Sequence, residues 1–495
     1  MVVYLIIVAA VLGLFHRSST GFIPNEDQGD MMIMFTLPAS SSLSRTNEVT
    51  KQIEQYLMTK EKNNIDYIFS VSGFNFSGSG SNAGMAFIAL KNWDQRKGEI
   101  NSAQSIANRA MMNLNSIKDA QVYALVPPAI MGLGQSNGFT FELQAAPGTD
   151  RDKLSQLKNE LIQEANKSPI LAGVRGNSLP DNPQVQIDID NQKATALGLS
   201  LSDVRNTMSY AFGGSYVNDF LDNNRVKKVY VQGDEQFRMK PDDIDKWYVK
   251  SDDNEMTPFS SFAKTYWTYG PDSLSRFNGE SSFEIQGDAA QGYSSGQAMS
   301  EIKKIADNLP SGTTYSWSGI SYQQQMAGSN SVSLYAISII VVFLCLAALY
   351  ESWSIPISVI MVIPLGVLGA IAAITIRGLD NDVYFQVALL TTIGLSSKNA
   401  ILIVEFAEIA LKNGTTLIES IKLATKERLR PILMTSFAFM AGIFPLAIAT
   451  GAGANSRIAI GTGILGGTFA GTLLSIFFVP IFFYLVKSIS FKKKK

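Results

Sequence analysis

The C-terminal part of the chain is a succession of long apolar runs. Ser331 to Tyr350, Ile355 to Ile376, Val383 to Ala410, Pro431 to Thr450 and Ile458 to Val486 reach the roughly 20 residues that a helix needs to cross a bilayer, so five transmembrane helices are predicted. Met1 to Phe15 is apolar too, but shorter, and no charge precedes it as in a signal peptide. It reads as the tail of a span whose beginning is missing. Positive residues set the orientation. Lys412, Lys422, Lys426, Arg428 and Arg430 crowd one connection and Lys492 to Lys495 close the chain, whereas the opposite connections hold only Arg377 and Arg457. The lysine-rich ends therefore face the cytoplasm, and the polar stretch 17–330 lies on the outer side.

Within that stretch the apolar period switches between two and 3.6. Strands are predicted at Met31 to Leu37, Tyr67 to Ser72, Met85 to Trp93 and Gln121 to Val126, with helices at Ser42 to Lys60 and Ser102 to Ile117. That is a β-α-β-β-α-β unit. A second unit takes a strand at Phe139 to Gln144, a helix from Arg151 to Asn166 and a strand at Gln184 to Ile189. It finishes with Ser282 to Gly287, a helix around Gln297 to Asn308 and Thr314 to Gly319. Between its halves an insertion, about Ala194 to Phe262, carries Gly213, Gly214, Asp219, Asp222, Asn223 and Asn224 ahead of the alternating Val229 and Val231. This reads as a projecting hairpin arm suited to assembly, although an ordinary hairpin without a partner has the same pattern. The predicted fold class is an α-helical membrane bundle, five complete spans plus a partial first span, with an extracytoplasmic α+β region of two β-α-β-β-α-β subdomains and an inserted hairpin arm.

Composition removes several function classes. With a formal net charge of −1 and no basic stripe, the chain offers nothing to gather nucleic acid. Cys345 is the only cysteine and His16 the only histidine, so no intrachain disulfide and no His/Cys metal site can form. No Gly-Lys dipeptide occurs, which excludes a phosphate-cradling loop of that type. No cofactor is expected, and no hydrolase or transferase constellation stands out; the chain reads as a transporter rather than an enzyme.

The strongest chemical signal is Lys398. A charge inside a span costs roughly 2.5–3.5 kcal/mol even on the lenient insertion scale, so it persists when paired or beside a wet path. No charge occurs from Val383 to Ser397, and Glu405, seven residues on, lies about 10 Å along the helix axis, too far for direct pairing. Lys398 therefore needs a carboxylate from a segment outside this chain, or a depressed pKa. Arg428 and Thr435 are also seven apart and share a face if the helix continues through Pro431; read alone, Arg428 fits a positive-inside anchor better than a relay member. In the outer part, Val71 to Gly84 reads as a flexible glycine-rich loop carrying Phe74 and Phe76, suited to gating an apolar pocket; rings that merely plug a core would leave the same pattern. In the last run, Gly463, Gly467 and Gly471 form a small-residue face for close helix packing.

Several stretches together resemble the resistance-nodulation-division (RND) family, specifically the inner-membrane pump subunit of Gram-negative multidrug efflux systems. They are Gly21 to Gly29 (GFIPNEDQG), Tyr350 to Trp353 (YESW), Asn381 to Gln386 (NDVYFQ), Gly394 to Glu405 (GLSSKNAILIVE) and Arg428 to Ser436 (RLRPILMTS). The resemblance runs over essentially the whole chain and covers the C-terminal half of such a pump. It implies proton-driven efflux of amphiphilic drugs, with Lys398, Arg428 and Thr435, and Asn399 beside them, relaying protons with aspartates from the missing N-terminal half. It places Phe69, Phe74, Phe76, Phe87, Tyr123, Leu125, Arg175 and Asn177 on substrate-facing surfaces, with Met32 and Met34 in the same cleft. Departures are Leu125, where an aromatic is common, and Gly132, where an acidic residue can occur. The implied domains are 1–16, a partial span; 17–135, a first porter subdomain; 136–193 and 263–330, a second, interrupted by a docking insertion at 194–262; 331–486, five spans; and 487–495, a basic cytoplasmic tail. The implied setting is the Gram-negative inner membrane with a large periplasmic domain, and the implied assembly is a homotrimer with a periplasmic adaptor and an outer-membrane channel. Another cargo, metal ion or lipid, and a non-transporting scaffold are the competing readings.

Overall fold

The computed structural model describes residues 1–130, 132–134 and 137–492, the side chains of 329–332 and 489–492 excepted. Of the predicted basic tail, residues 493–495 lie outside the described residues. The chain divides into two compact units: Met1–Leu37, Ser42–Ser178 and Leu274–Lys495 form one, and Pro38–Ser41 with Leu179–Ser273 form the other.

The first unit opens with an apolar helix, α1 (Val2–Arg17), and then builds two sheets. In the first, β1 (Asp30–Thr36), α2 (Leu43–Lys60), β2 (Ile65–Asn75), β3 (Gly78–Leu90), α3 (Ala103–Leu114) and β4 (Gln121–Leu125) follow one another, and the strands pair antiparallel in the order β2-β3-β1-β4. Ser42 and Ser102 cap the two helices, their hydroxyls accepting from the backbone N–H of Arg45 and Ser105. Period-two alternation then decides what faces the helices. Met31, Ile33 and Phe35 of β1 pack with Val49, Ile53 and Leu57 of α2 and Ile106, Ala107 and Ala110 of α3. The alternate residues point to the other face.

The stretch Val71 to Gly84 is not a loose loop. β2 and β3 continue into it as a ladder, with Phe74 opposite Ser79 and Asn75 opposite Gly78, leaving only Phe76 and Ser77 at the turn. Asn75 explains why the tip is fixed. Its buried amide donates to the Phe35 carbonyl (3.1 Å) and to Thr36 Oγ1 (3.0 Å), and its Oδ1 accepts from the Ser77 N–H (2.9 Å). Gly73, at φ +95°, sits in the irregularity between Ser72 and Phe74 that twists the hairpin.

In the second sheet, β5 (Phe139–Ala145), α4 (Arg151–Ala165) and β6 (Leu171–Gly176) precede the other unit. Three further strands complete it afterwards. The strand predicted at Gln184 to Ile189 is real but belongs elsewhere: as β7 (Asn182–Ile189) it pairs along its length with β12 (Ala263–Gly270) in the second unit. β6 takes its place, and it escapes a pattern search because Gly173, at φ +61°, and the buried Arg175 break the alternation. The rest of the second unit holds α5 (Asn191–Ala196), α6 (Leu201–Met208), the hairpin β8 (Ser215–Asp222) and β9 (Arg225–Val231), and the short pair β10 (Tyr248–Lys250) and β11 (Met256–Pro258). Its core gathers Leu199, Val204, Ile244, Val249, Phe259 and Phe262. The hairpin turns on Asn223 and Asn224, both left-handed, and its strands stay exposed.

Back in the first unit, β13 (Arg276–Phe277), β14 (Glu280–Ala289), α7 (Ser295–Asp307) and β15 (Thr313–Trp317) complete the sheet in the order β13-β14-β5-β15, with β6 also on β14. Among the described residues, five helices long and apolar enough to cross a membrane follow: α8 (Gly319–Tyr350), α9 with α10 (Ile355–Ile360 and Ile363–Arg377), α11 (Val383–Lys412), α12 (Leu417–Ala447) and α13 (Ala454–Lys492). The small-residue face of α13 packs on α11: a side chain at Gly463 would meet Ala388 at 2.8 Å and one at Gly471 would meet Ser396 at 2.7 Å.

Candidate functional site

Strand register assembles most of the predicted substrate-facing residues without further assumption. Phe69, Phe87, Met32 and Leu125 stand side by side across β2, β3, β1 and β4, and Val71, Met85, Met34 and Tyr123 form the next row. Because side chains two apart share a face, all eight occupy the side of the sheet away from α2 and α3. Met34, Met85 and Leu125 are buried together, with Val71, Phe76 and Tyr123 packed against them. Phe69 and Phe87 stack with ring centres 6.1 Å apart and remain open, 59% and 36% exposed. The result is an apolar floor of soft sulfur and aromatic side chains, deep at one end and open at the other. Val71 and Met85 belong to it although sequence reasoning did not single them out; counting by twos along β3 from Phe87 would have found Met85.

Phe74 and Phe76, at the hairpin end, meet edge to face with centres 6.4 Å apart. From there the second sheet supplies a polar rim. The Ser77 hydroxyl donates to Asn177 Oδ1 (2.8 Å), and Asn177 donates in turn to Glu284 Oε1 (3.0 Å). Arg175 lies over the Tyr123 ring at 4.9 Å and donates to Gln286 Oε1 (2.9 Å). Burial draws its guanidinium below the usual range, and Asp288 opposes that drift; burial likewise pushes the Asp288 carboxyl up while Arg175 opposes it. Glu142 stands directly opposite Glu284 across β5 and β14, almost fully buried, its Oε1 accepting from Ser318 (3.0 Å). Burial, reinforced by Glu284, raises its pKa against the Ser318 hydrogen bond.

Three charged sites of the helical region differ in how they are satisfied. Glu408 of α11 meets Lys487 of α13 at 2.7 Å. Arg428 of α12 lays its guanidinium over the Phe406 ring of α11, 3.4 Å from the ring centre, and its Nε is buried without a hydrogen-bond partner among the described residues. Lys398 has neither arrangement: it is exposed on α11, and among the described residues no hydrogen bond or ion pair reaches it. α12 is continuous through Pro431, so Arg428 and Thr435 do share a helix. Among the described residues, the Thr435 hydroxyl donates only to the Ile432 carbonyl of the same helix (3.2 Å). Asn399 faces inward instead. It donates to Thr472 Oγ1 of α13 (3.4 Å), which donates to Ser436 Oγ of α12 (2.9 Å), a buried polar link through three helices. Lys398, Arg428 and Thr435 are therefore on neighbouring helices but are not bonded to one another.

A further connection went unnoticed in the sequence. Glu26, buried, accepts from the backbone N–H groups of Asn455 (3.1 Å) and Ser456 (2.6 Å) and from the Ser456 hydroxyl, and so caps α13 from the segment that leads into β1.

Comparison with known proteins places this geometry. The family model described as AcrB/AcrD/AcrF matches residues 1–487. The chain is 50% identical over 489 residues to the multidrug/solvent efflux pump membrane transporter MepB of Pseudomonas putida, covering 99% of this chain and 46% of that protein. It is 50% identical over 489 residues to the multidrug export protein AcrF of Escherichia coli K12, covering 98% and 47%. To the multidrug resistance protein MdtF of the same strain it is 51% identical over 497 residues, covering 100% and 48%. The chain thus spans about half the length of the curated relatives it matches. With a family match along nearly all of its length, the chain belongs to the AcrB/AcrD/AcrF family of RND transporters.

Proposed function

We propose that this chain is the half of a proton-driven exporter of amphiphilic compounds that carries the cationic side of a proton relay and one wall of a substrate cleft. Lys398 carries the reading. A lysine on a membrane helix that no described residue neutralises demands a counter-charge, and carboxylates from another polypeptide segment would supply it. Arg428, Thr435 and Asn399 would complete the relay, with Thr472 and Ser436 coupling it to α12 and α13. Substrate would lie against Phe69, Phe87, Met32, Met34, Tyr123 and Leu125, between Phe74 and Phe76 at one end and Arg175 and Asn177 at the rim. The apolar floor favours hydrophobic bodies, and the rim favours a polar group at one end.

In this reading the chain is a multi-pass inner-membrane protein whose region 17–330 is periplasmic: 17–135 and the two parts of a second subdomain act as porters, and the insertion docks. The exposed hairpin at 215–231 would reach a neighbouring protomer of a trimer, which would work with an adaptor and an outer-membrane channel. The names of the relatives, multidrug and solvent efflux pumps, support the cargo class. Lys398→Ala in a full-length pump is expected to abolish drug efflux with the protein present at normal level; unchanged efflux would sink the proposal. Export of a soft metal ion is the second reading that an observation favours, since Met32, Met34 and Met85 share one face. Calorimetric titration with a drug and with Cu(I) separates the two.

A further inference from the structure

Where α1 and α10 end, a cavity of about 390 Å³ opens between them and the start of α7. Arg17, Ser18, Ser19, Ser294, Thr375 and Asp380 supply its polar lining. Its two charges are opposite in sign yet unpaired: Arg17 is exposed and has no hydrogen bond or ion pair among the described residues, and Asp380 accepts from the Ser19 hydroxyl. Two opposite charges held apart around one cavity match a ligand that carries both. An anion alone would leave the carboxylate facing it, and a cation alone would face the guanidinium.

The position supplies the second constraint. Both flanking helices are apolar up to this point, and Arg17 and Arg377 mark their ends, which places the cavity at the depth of lipid headgroups on the outer side. Beside it the helix surface is bare hydrocarbon: Ile376 is 85% exposed, and Leu12 lies open on α1. The wall is also preformed. Thr20 bridges Asn381, Asn381 N–H donates to the Ser19 carbonyl (2.8 Å), Gly296 N–H donates to the Thr20 carbonyl (3.1 Å), and the Ser294 hydroxyl is held as the cap of α7. We infer that this cavity binds the headgroup of a zwitterionic phospholipid, with the phosphate at Arg17 and the neighbouring hydroxyls and the ammonium at Asp380, the acyl chains running down the exposed apolar surface. The inference needs the chain to sit in a bilayer and is independent of what it transports.

Native mass spectrometry of the full chain in detergent tests it, with phosphatidylethanolamine and phosphatidylglycerol of identical acyl chains as probes. The wild type is expected to retain the ethanolamine lipid preferentially. Arg17→Gln should weaken retention of both lipids by roughly fivefold, the scale of one partly exposed ion pair. Asp380→Asn, which keeps an acceptor for Ser19, should erase the preference while leaving retention of the glycerol lipid intact or improved. General loosening of the fold cannot produce that second result. Equal retention of the two lipids by the wild type, or a preference that survives Asp380→Asn, would overturn the assignment. Free phosphoethanolamine displacing the lipid at equal concentration would overturn the lipid source in favour of a soluble ligand.

Discussion

Removing the Glu26 carboxylate should loosen the first turn of α13 while leaving the helix intact. Glu26 is 4% exposed and receives two backbone N–H groups and one hydroxyl from Asn455 and Ser456, at the end of a helix whose dipole favours an anion. Hydrogen bonds to a charged group contribute about 1.5–3 kcal/mol each, and a buried donor left without a partner costs about 1–3 kcal/mol. Glu26→Ala strips both backbone donors, but water entering the space offsets part of the loss. A net cost near 2 kcal/mol is therefore a conservative figure, and on local opening it corresponds to roughly thirtyfold. Glu26→Gln keeps one acceptor oxygen but turns an NH2 group toward a donor, so its effect should be intermediate. Amide hydrogen exchange reads this directly: Asn455 and Ser456 should exchange roughly thirtyfold faster in Glu26→Ala, with the middle of α13 unchanged. Unaltered exchange at both amides would show that the carboxylate contributes nothing to the cap, and the reasoning would fail.

Other perturbations have equally definite outcomes. Asn75→Ala leaves the Phe35 carbonyl and Thr36 hydroxyl without their amide donor, so the hairpin tip should lose about 1–3 kcal/mol of local stability, seen as faster proteolysis near Phe76 while the sheet core stays protected. Gly467→Val drives a branched side chain into Thr392 of α11, where there is no room; the detergent-solubilised protein should melt earlier, whereas Gly442→Ala, with open space around it, should not. Glu142 provides a pH test. Because its pKa is raised in the fold, the folded state holds the proton more tightly than the unfolded chain, and stability falls as pH rises from about 4.3, the unfolded value, through the raised one. Glu142→Gln should flatten that slope in melting curves taken between about pH 4 and pH 7; a slope as steep as the wild type's would refute the assignment.

Much of the architecture was legible because two simple periods carry it. Apolar runs located the membrane-type helices, yet the helices outgrow the runs. α8 begins at Gly319 rather than Ser331 and α12 at Leu417 rather than Pro431, because a helix continues past the hydrocarbon wherever its polar turns still bond along the backbone. Conversely the second run is broken between Ile360 and Ile363, where Pro364 enters the first turn of α10. Alternation located the strands of the first sheet and hence its apolar face, since register follows once the parity of each strand is known. It could not say which strand pairs with which: Val185, Ile187 and Ile189 alternate well, and still their partner is β12. Nor could it find β6, whose glycine and buried arginine belong to the rim of the cleft and break the pattern there.

The residues that resisted reading are those whose partners lie far along the chain. Glu26 is separated from Ser456 by 430 residues, and nothing in GFIPNEDQG announces a helix cap. The charges of the helical region show the same limit from the other side. Glu408 and Lys487 neutralise each other across α11 and α13, Arg377 donates to the Ala447 carbonyl and to Thr462, and Arg428 rests on the Phe406 ring, so these cations have an arrangement within the chain. Lys398 has none among the described residues and lies on the exposed side of α11, while its neighbour Asn399 is turned inward to Thr472. A single step along the helix thus separates a satisfied polar interior from a charge with no partner among the described residues. In hydrocarbon such a charge persists when paired or beside a wet path. The proton-relay proposal puts the carboxylates of another segment against this face of α11.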